Sequence, residues 1–65
     1  MLHYYPETDT LEIALSDDIS TESQEVYENV LFNFTADGKL ASITIDPAGT
    51  LVNIAKLKPY LKLCA

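Results

Sequence analysis

The stretch Asn29–Asp46, NVLFNFTADGKLASITID, decides the fold. Asp37-Gly38 stands between two runs of alternating apolar residues, which is a strong short-range signal for a β-hairpin. A two-residue type I′ turn at Asp37-Gly38 pairs Ala36 with Lys39. Phe34 then faces Ala41, Phe32 faces Ile43, and Val30 faces Ile45. All six side chains fall on one side of the sheet, and a one-residue slip would scatter them over both faces, so the pattern specifies its own register. Gly38 supplies the positive φ that the turn needs. The opposite face carries Leu31, Asn33, Thr35, Leu40, Ser42 and Thr44.

Upstream, Leu2–Tyr5 reads as a strand ended by Pro6, which cannot donate to a ladder. Pro6-Glu7-Thr8-Asp9-Thr10 has turn chemistry. Residues 11–16 alternate cleanly, with Leu11, Ile13 and Leu15 inward. Asp17–Glu22 is polar and turn-rich and reads as a loop, and residues 24–35 read as one long strand or two pieces, with a bend or bulge near Glu28-Asn29. Downstream, Asp46-Pro47 or Thr50 starts a helix over about residues 50–57, with Leu51, Ile54, Ala55 and Leu57 at helical spacing. Pro59 stops it. Residues 59–63 read as a short turn or second helix.

The expected architecture is α+β, one domain over residues 1–65. It is a four-stranded antiparallel β-meander, strands about 2–5, 11–16, 24–35 and 40–46, with one C-terminal helix packed on its apolar face.

At 65 residues the stability margin is thin, because short chains bury a small share of their surface. Such chains usually gain a disulfide, a metal or a partner subunit. The single cysteine, Cys64, sits one residue from the end and has no internal partner. No Cys/His cluster suggests structural zinc, and no cofactor is expected. Self-association or unusually good packing remains, and a homodimer is expected.

The formal charge is −6. All ten carboxylates lie between Glu7 and Asp46, while Lys56, Lys58 and Lys62 lie in the tail. This balance repels phosphate backbones and argues against nucleic acid. It serves solubility, and it also suits a small basic protein partner. No apolar run is long enough for a membrane span, no leader or lipidation motif is evident, and the unpaired thiol fits a reducing interior. A cytoplasmic protein without a membrane contact is expected.

The first half also resembles a known family. Tyr4-Tyr5-Pro6-Glu7-Thr8-Asp9-Thr10-Leu11-Glu12-Ile13-Ala14-Leu15 is similar to the opening of the bacterial domain of unknown function 2283, whose members typically begin Tyr-Asp-Pro-Glu-x-Asp-x-Leu-x-Ile-x-Leu. Glu22-Ser23-Gln24-Glu25-Val26 resembles its central stretch, and Asp37-Gly38-Lys39-Leu40 with Ile43-Thr44-Ile45 resembles its hairpin. The likeness covers roughly residues 1–50. It implies a small sheet plus a helix. It implies no established function, although some members resemble the antitoxin half of paired small-gene modules. Tyr5 stands where the family usually has Asp, Asn33 and Thr35 where acids are common, Ser42 where Gly is common, and Gly49 where a Ser often caps the helix. The missing acids argue against a metal site on the hairpin.

No residue set carries a catalytic signature, and the chain is not read as an enzyme. His3 is a lone histidine beside two tyrosines, and a general base needs an orienting partner and a pocket. Asp9 or Glu12 are its candidate neighbours across the first hairpin. The acids Asp17, Asp18, Glu22 and Glu25 lack the glycine turn and spacing of a Ca²⁺ loop, so they read as a solvated acidic surface. Together with the outward Tyr5, Tyr27, Leu31 and Leu40, they form the candidate partner surface. The function expected is a small acidic, non-catalytic protein-interaction module, with an antitoxin-like role in a two-gene pair as its sharper form. The alternative is a stand-alone homodimer with a structural or small-ligand role.

Overall fold

A computed structural model describes residues 1–63 of the chain; Cys64 lies outside the described residues. The fold is α+β, and its sheet has six strands rather than four. These are β1 (Leu2–Tyr5), β2 (Thr10–Ala14), β3 (Ser20–Tyr27), β4 (Val30–Thr35), β5 (Leu40–Ile45) and β6 (Leu61–Leu63), in the spatial order β3-β4-β5-β2-β1-β6.

The central hairpin keeps the expected pairs Val30–Ile45 and Phe32–Ile43. Its turn differs. The Thr35 N–H donates to the Lys39 carbonyl at 2.8 Å and the Gly38 N–H to the Thr35 carbonyl at 3.0 Å. The loop is therefore three residues, Ala36 to Gly38, with Gly38 alone at positive φ (84°). This is the type I turn closed by a left-handed residue, not the type I′ turn. Thr35 stabilises it: its hydroxyl donates to the Asp37 carboxylate at 2.6 Å and accepts from the Lys39 N–H at 3.2 Å. That hydroxyl bond is the main reason the Asp37 carboxyl titrates below its ordinary value.

The longer loop shifts register by one residue, so Phe34 stands opposite Leu40 rather than Ala41. Uncorrected, the shift would bring Phe32 opposite Ser42 and mix the two faces. A bulge at Ala41 absorbs it. The carbonyl of Ala41 accepts from both the Leu15 and Ser16 N–H groups, at 2.9 and 3.1 Å. This double acceptance ends β2 at Ala14, short of the expected Ser16.

The strand expected over 24–35 is two strands. Asn29 takes φ 67°, a left-handed conformation that Asn tolerates and that folds β3 back on β4. The bend foreseen there is a full hairpin turn. Glu28, whose parity breaks the apolar face, thereby leaves the strand.

The meander is also broken. β5 pairs with β2 rather than ending the sheet, and β6 adds to β1 in parallel. Because β6 and β5 run the same way with two strands between them, a crossover must join them. Residues 46–60 provide it, as short pieces: a 3-10 turn (Ala48–Thr50), α1 (Ile54–Leu57) and a second 3-10 turn (Lys58–Tyr60). The helix expected over 50–57 is thus one turn, capped by the Asn53 side chain rather than by Asp46 or Thr50. Residues 61–63, expected in a turn or helix, are a strand.

Register assigns the faces. One carries Glu22, Gln24 and Tyr27 of β3, Val30, Phe32 and Phe34 of β4, Leu40, Ile43 and Ile45 of β5, Leu11 and Ile13 of β2, and Leu2 and Tyr4 of β1. The crossover lies on this face over β2 and β1, where Leu11 is 1% and Ala48 0% exposed. Among the described residues only Leu11, Ala41 and Ala48 are fully buried apolar residues.

Candidate interaction surface

Asp9 decides where the crossover lies. It takes φ 54° in the β1–β2 turn. Its carbonyl accepts from the Ala48 N–H at 2.7 Å, and its carboxylate accepts from the Gly49 N–H at 3.0 and 3.2 Å. The same carboxylate accepts from the Tyr4 hydroxyl at 2.6 Å. A Cβ on residue 49 would lie 3.0 Å from an Asp9 carboxylate oxygen, closer than ordinary van der Waals contact, so glycine lets the two approach without displacing that side chain. The Asp9 bond holds the Tyr4 phenol above its ordinary pKa, with desolvation and the carboxylate's charge acting the same way. Asp9 therefore joins the first turn to the crossover and places the covering layer over β2 and β1.

Beyond that layer the same face continues across β5, β4 and β3. Phe32 and Phe34 tilt against each other at 6.4 Å between ring centroids. They and Ile43 are only half-buried, and Tyr27 at the rim is 65% exposed. Among the strand residues that register places on this face, Leu11 alone is fully buried; Leu2, Tyr4 and Ile13 on the β2–β1 side are half-buried, as Phe32, Phe34 and Ile43 are.

The opposite face is polar and satisfies itself. Asn33, 9% exposed, donates through Nδ2 to Ser42 and Thr44, each at 2.9 Å, and accepts from Ser23 at 2.7 Å. No buried side-chain polar atom among the described residues lacks a partner. Asn33 thus serves as a cross-strand connector.

β3 forms one edge of the sheet. It pairs only with β4, and all eight of its residues are exposed. Glu22 stands opposite Phe34 and Glu25 opposite Leu31, so one acid projects on each face of the edge. Register shifts flank this segment on both sides.

The eight candidate surface residues do not form one patch. Tyr27, Leu40 and Glu22 share the Phe32 face; Leu40, expected on the polar face, changes side through the altered hairpin loop. Tyr5, Leu31 and Glu25 lie on the polar face, with Tyr5 half-buried at the far end of β1. Asp17 and Asp18 lie exposed in the β2–β3 connection. His3 stands opposite Glu12 on β2 and Lys62 on β6, while Asp9 is engaged elsewhere with Tyr4. Among the described residues no three His, Cys, Asp or Glu side chains gather as a metal site, and no helix is long and apolar enough to cross a membrane. Among the described residues, open grooves of about 510 Å³ run along Gly49–Ile54 and of about 280 Å³ beside His3 and Asp17.

The Tyr4–Asp9 turn, the β3–β4 segment and the Asp37-Gly38 hairpin lie within residues 1–48, the span matched by the model of the family described as protein of unknown function (DUF2283). The chain belongs to the DUF2283 family. The DUF2283 match ends at Ala48, so the rest of the crossover and β6 lie outside it. No curated protein and no solved structure matches the chain.

Proposed function

We propose that this DUF2283 protein is a small acidic, non-catalytic interaction module whose partner is a small basic protein. The observation that carries the reading is the β3 edge. A free edge offers unpaired backbone donors and acceptors to an incoming strand, and alternate side chains confer specificity. Here the incoming strand meets Glu22 on one face and Glu25 on the other, so two lysines or arginines three residues apart, one on each face, complement it. The same acids and the flanking irregularities discourage a second β3 from pairing there, since natural edges are protected in these ways. The chain's charge of −6 steers a basic partner toward it. An antitoxin-like role, in which this chain sequesters the product of a neighbouring gene, is the more specific form of the proposal.

The test is co-expression with the small basic protein encoded beside it, followed by affinity capture at moderate salt. Co-purification that is lost in Glu22→Lys/Glu25→Lys supports the reading, and failure to bind removes it. For the antitoxin form, expression of the neighbour alone should slow growth and co-expression should relieve it.

A further inference from the structure

We propose that the half-buried apolar surface of β4 and β5 centred on Phe32 and Phe34, with exposed Tyr27 at its rim, is the interface of a homodimer. It concerns the face of the sheet rather than its β3 edge, and stands independently of a basic partner.

Surface area supports an occupant. A folded monomer of 7.2 kDa exposes about 4,100 Å², whereas this chain exposes 4572 Å². The radius of gyration is 11.7 Å, against about 11 Å for a compact chain of this length. The molecule is a slab 18 Å through its thinnest axis. The surplus surface is of the order of half the roughly 800 Å² that each partner buries in a standard interface.

Charge identifies the occupant as a second copy. On this part of the face, Glu22 is the only charged residue among the described residues that register places, and it lies on the outer strand. Phe32, Phe34, Ile43 and Gln24 form a neutral centre that offers a basic protein nothing to recognise. Two copies of a neutral patch related by a two-fold axis are complementary without bringing acidic edges together, and such an isologous contact closes at the dimer. Aligned sheets packed face to face are a standard way to bury such surfaces. The alternative self-contact, the acidic β3 edge of one copy against the Lys62-bearing β6 edge of the next, is heterologous and would grow without closing.

Sedimentation velocity of the full chain between about 5 and 500 µM tests the proposal. The expected result is a species of twice the 7.2 kDa monomer mass, with a dissociation constant raised at least tenfold by Tyr27→Glu or Gln24→Glu. Both substitutions are at exposed positions, and circular dichroism checks that each variant keeps its fold. Glu25→Lys, on the other face, should leave the dimer intact. A monomer at 500 µM, a dimer indifferent to the Tyr27 and Gln24 charges, or a mass that rises without limit each overturns the proposal.

Discussion

Replacing Asn33 with Ala removes three cross-strand hydrogen bonds at once, to Ser23, Ser42 and Thr44. A neutral hydrogen bond contributes about 1 kcal/mol net, so the gross loss is about 3 kcal/mol. The three hydroxyls are not fully buried, and water can satisfy part of what they lose, which brings the expected cost to about 2 kcal/mol. A domain of this size has only about 3–10 kcal/mol to lose. At roughly 4–8 °C per kcal/mol, the melting temperature should fall by about 8–16 °C. Urea unfolding followed by circular dichroism, at one fixed protein concentration, measures the effect, with exposed Glu25→Ala as the control expected within about 0.5 kcal/mol of wild type. A double-mutant cycle with Ser42→Ala should show coupling of about 1 kcal/mol. If Asn33→Ala cost no more than the Glu25 control, the polar face would not be held by this network, and its role in joining β3, β4 and β5 would be refuted.

Gly38→Ala should destabilise by about 1 kcal/mol in urea unfolding, from backbone strain at positive φ. Nothing lies within 4 Å of the added Cβ, and Gly38→Asn should therefore cost less. The raised Tyr4 pKa favours the protonated phenol in the fold. Its contribution is present below the unfolded value near 10 and is lost as pH rises through the folded value. Asp9→Asn removes the carboxylate charge and should bring Tyr4 titration, followed by tyrosinate absorbance, to lower pH, with less alkaline destabilisation. For Asp37 the sign is opposite: the lowered value gives a contribution present at neutral pH and lost as pH falls below the ordinary carboxylate range. Thr35→Val should flatten that acid dependence in a melting series from pH 7 to 2.

Alternation around Asp37-Gly38 made β4, β5 and the Val30–Ile45 and Phe32–Ile43 pairs legible, because a buried face tolerates one register. The loop was not legible, since Asp-Gly suits two- and three-residue hairpins alike; Thr35, able to bond both Asp37 and Lys39, was the unused local clue. The broken parity at Glu28 marked the right place, but a bulge and a turn both satisfy it. β6 was hidden because three residues of strand carry almost no periodic signal. Its parallel pairing depends on the crossover, and the crossover depends on a contact between Asp9 and Gly49, forty residues apart. In the candidate surface, Glu22 was read within a polar loop, whereas Ser20–Tyr27 is the edge strand β3; the split of Glu22 and Glu25 between two faces follows from a hairpin that composition does not reveal.

Concentration-dependent nuclear magnetic resonance shifts test the central claim, that the apolar surface of β4 and β5 receives a partner while the part around Leu11 does not. Between about 10 µM and 1 mM, resonances of Phe32, Phe34, Gln24 and Tyr27 should move together, while those of Leu11 and Ala48 beneath the crossover stay fixed. Shifts confined to the Leu11 side, or none at any concentration, would contradict it.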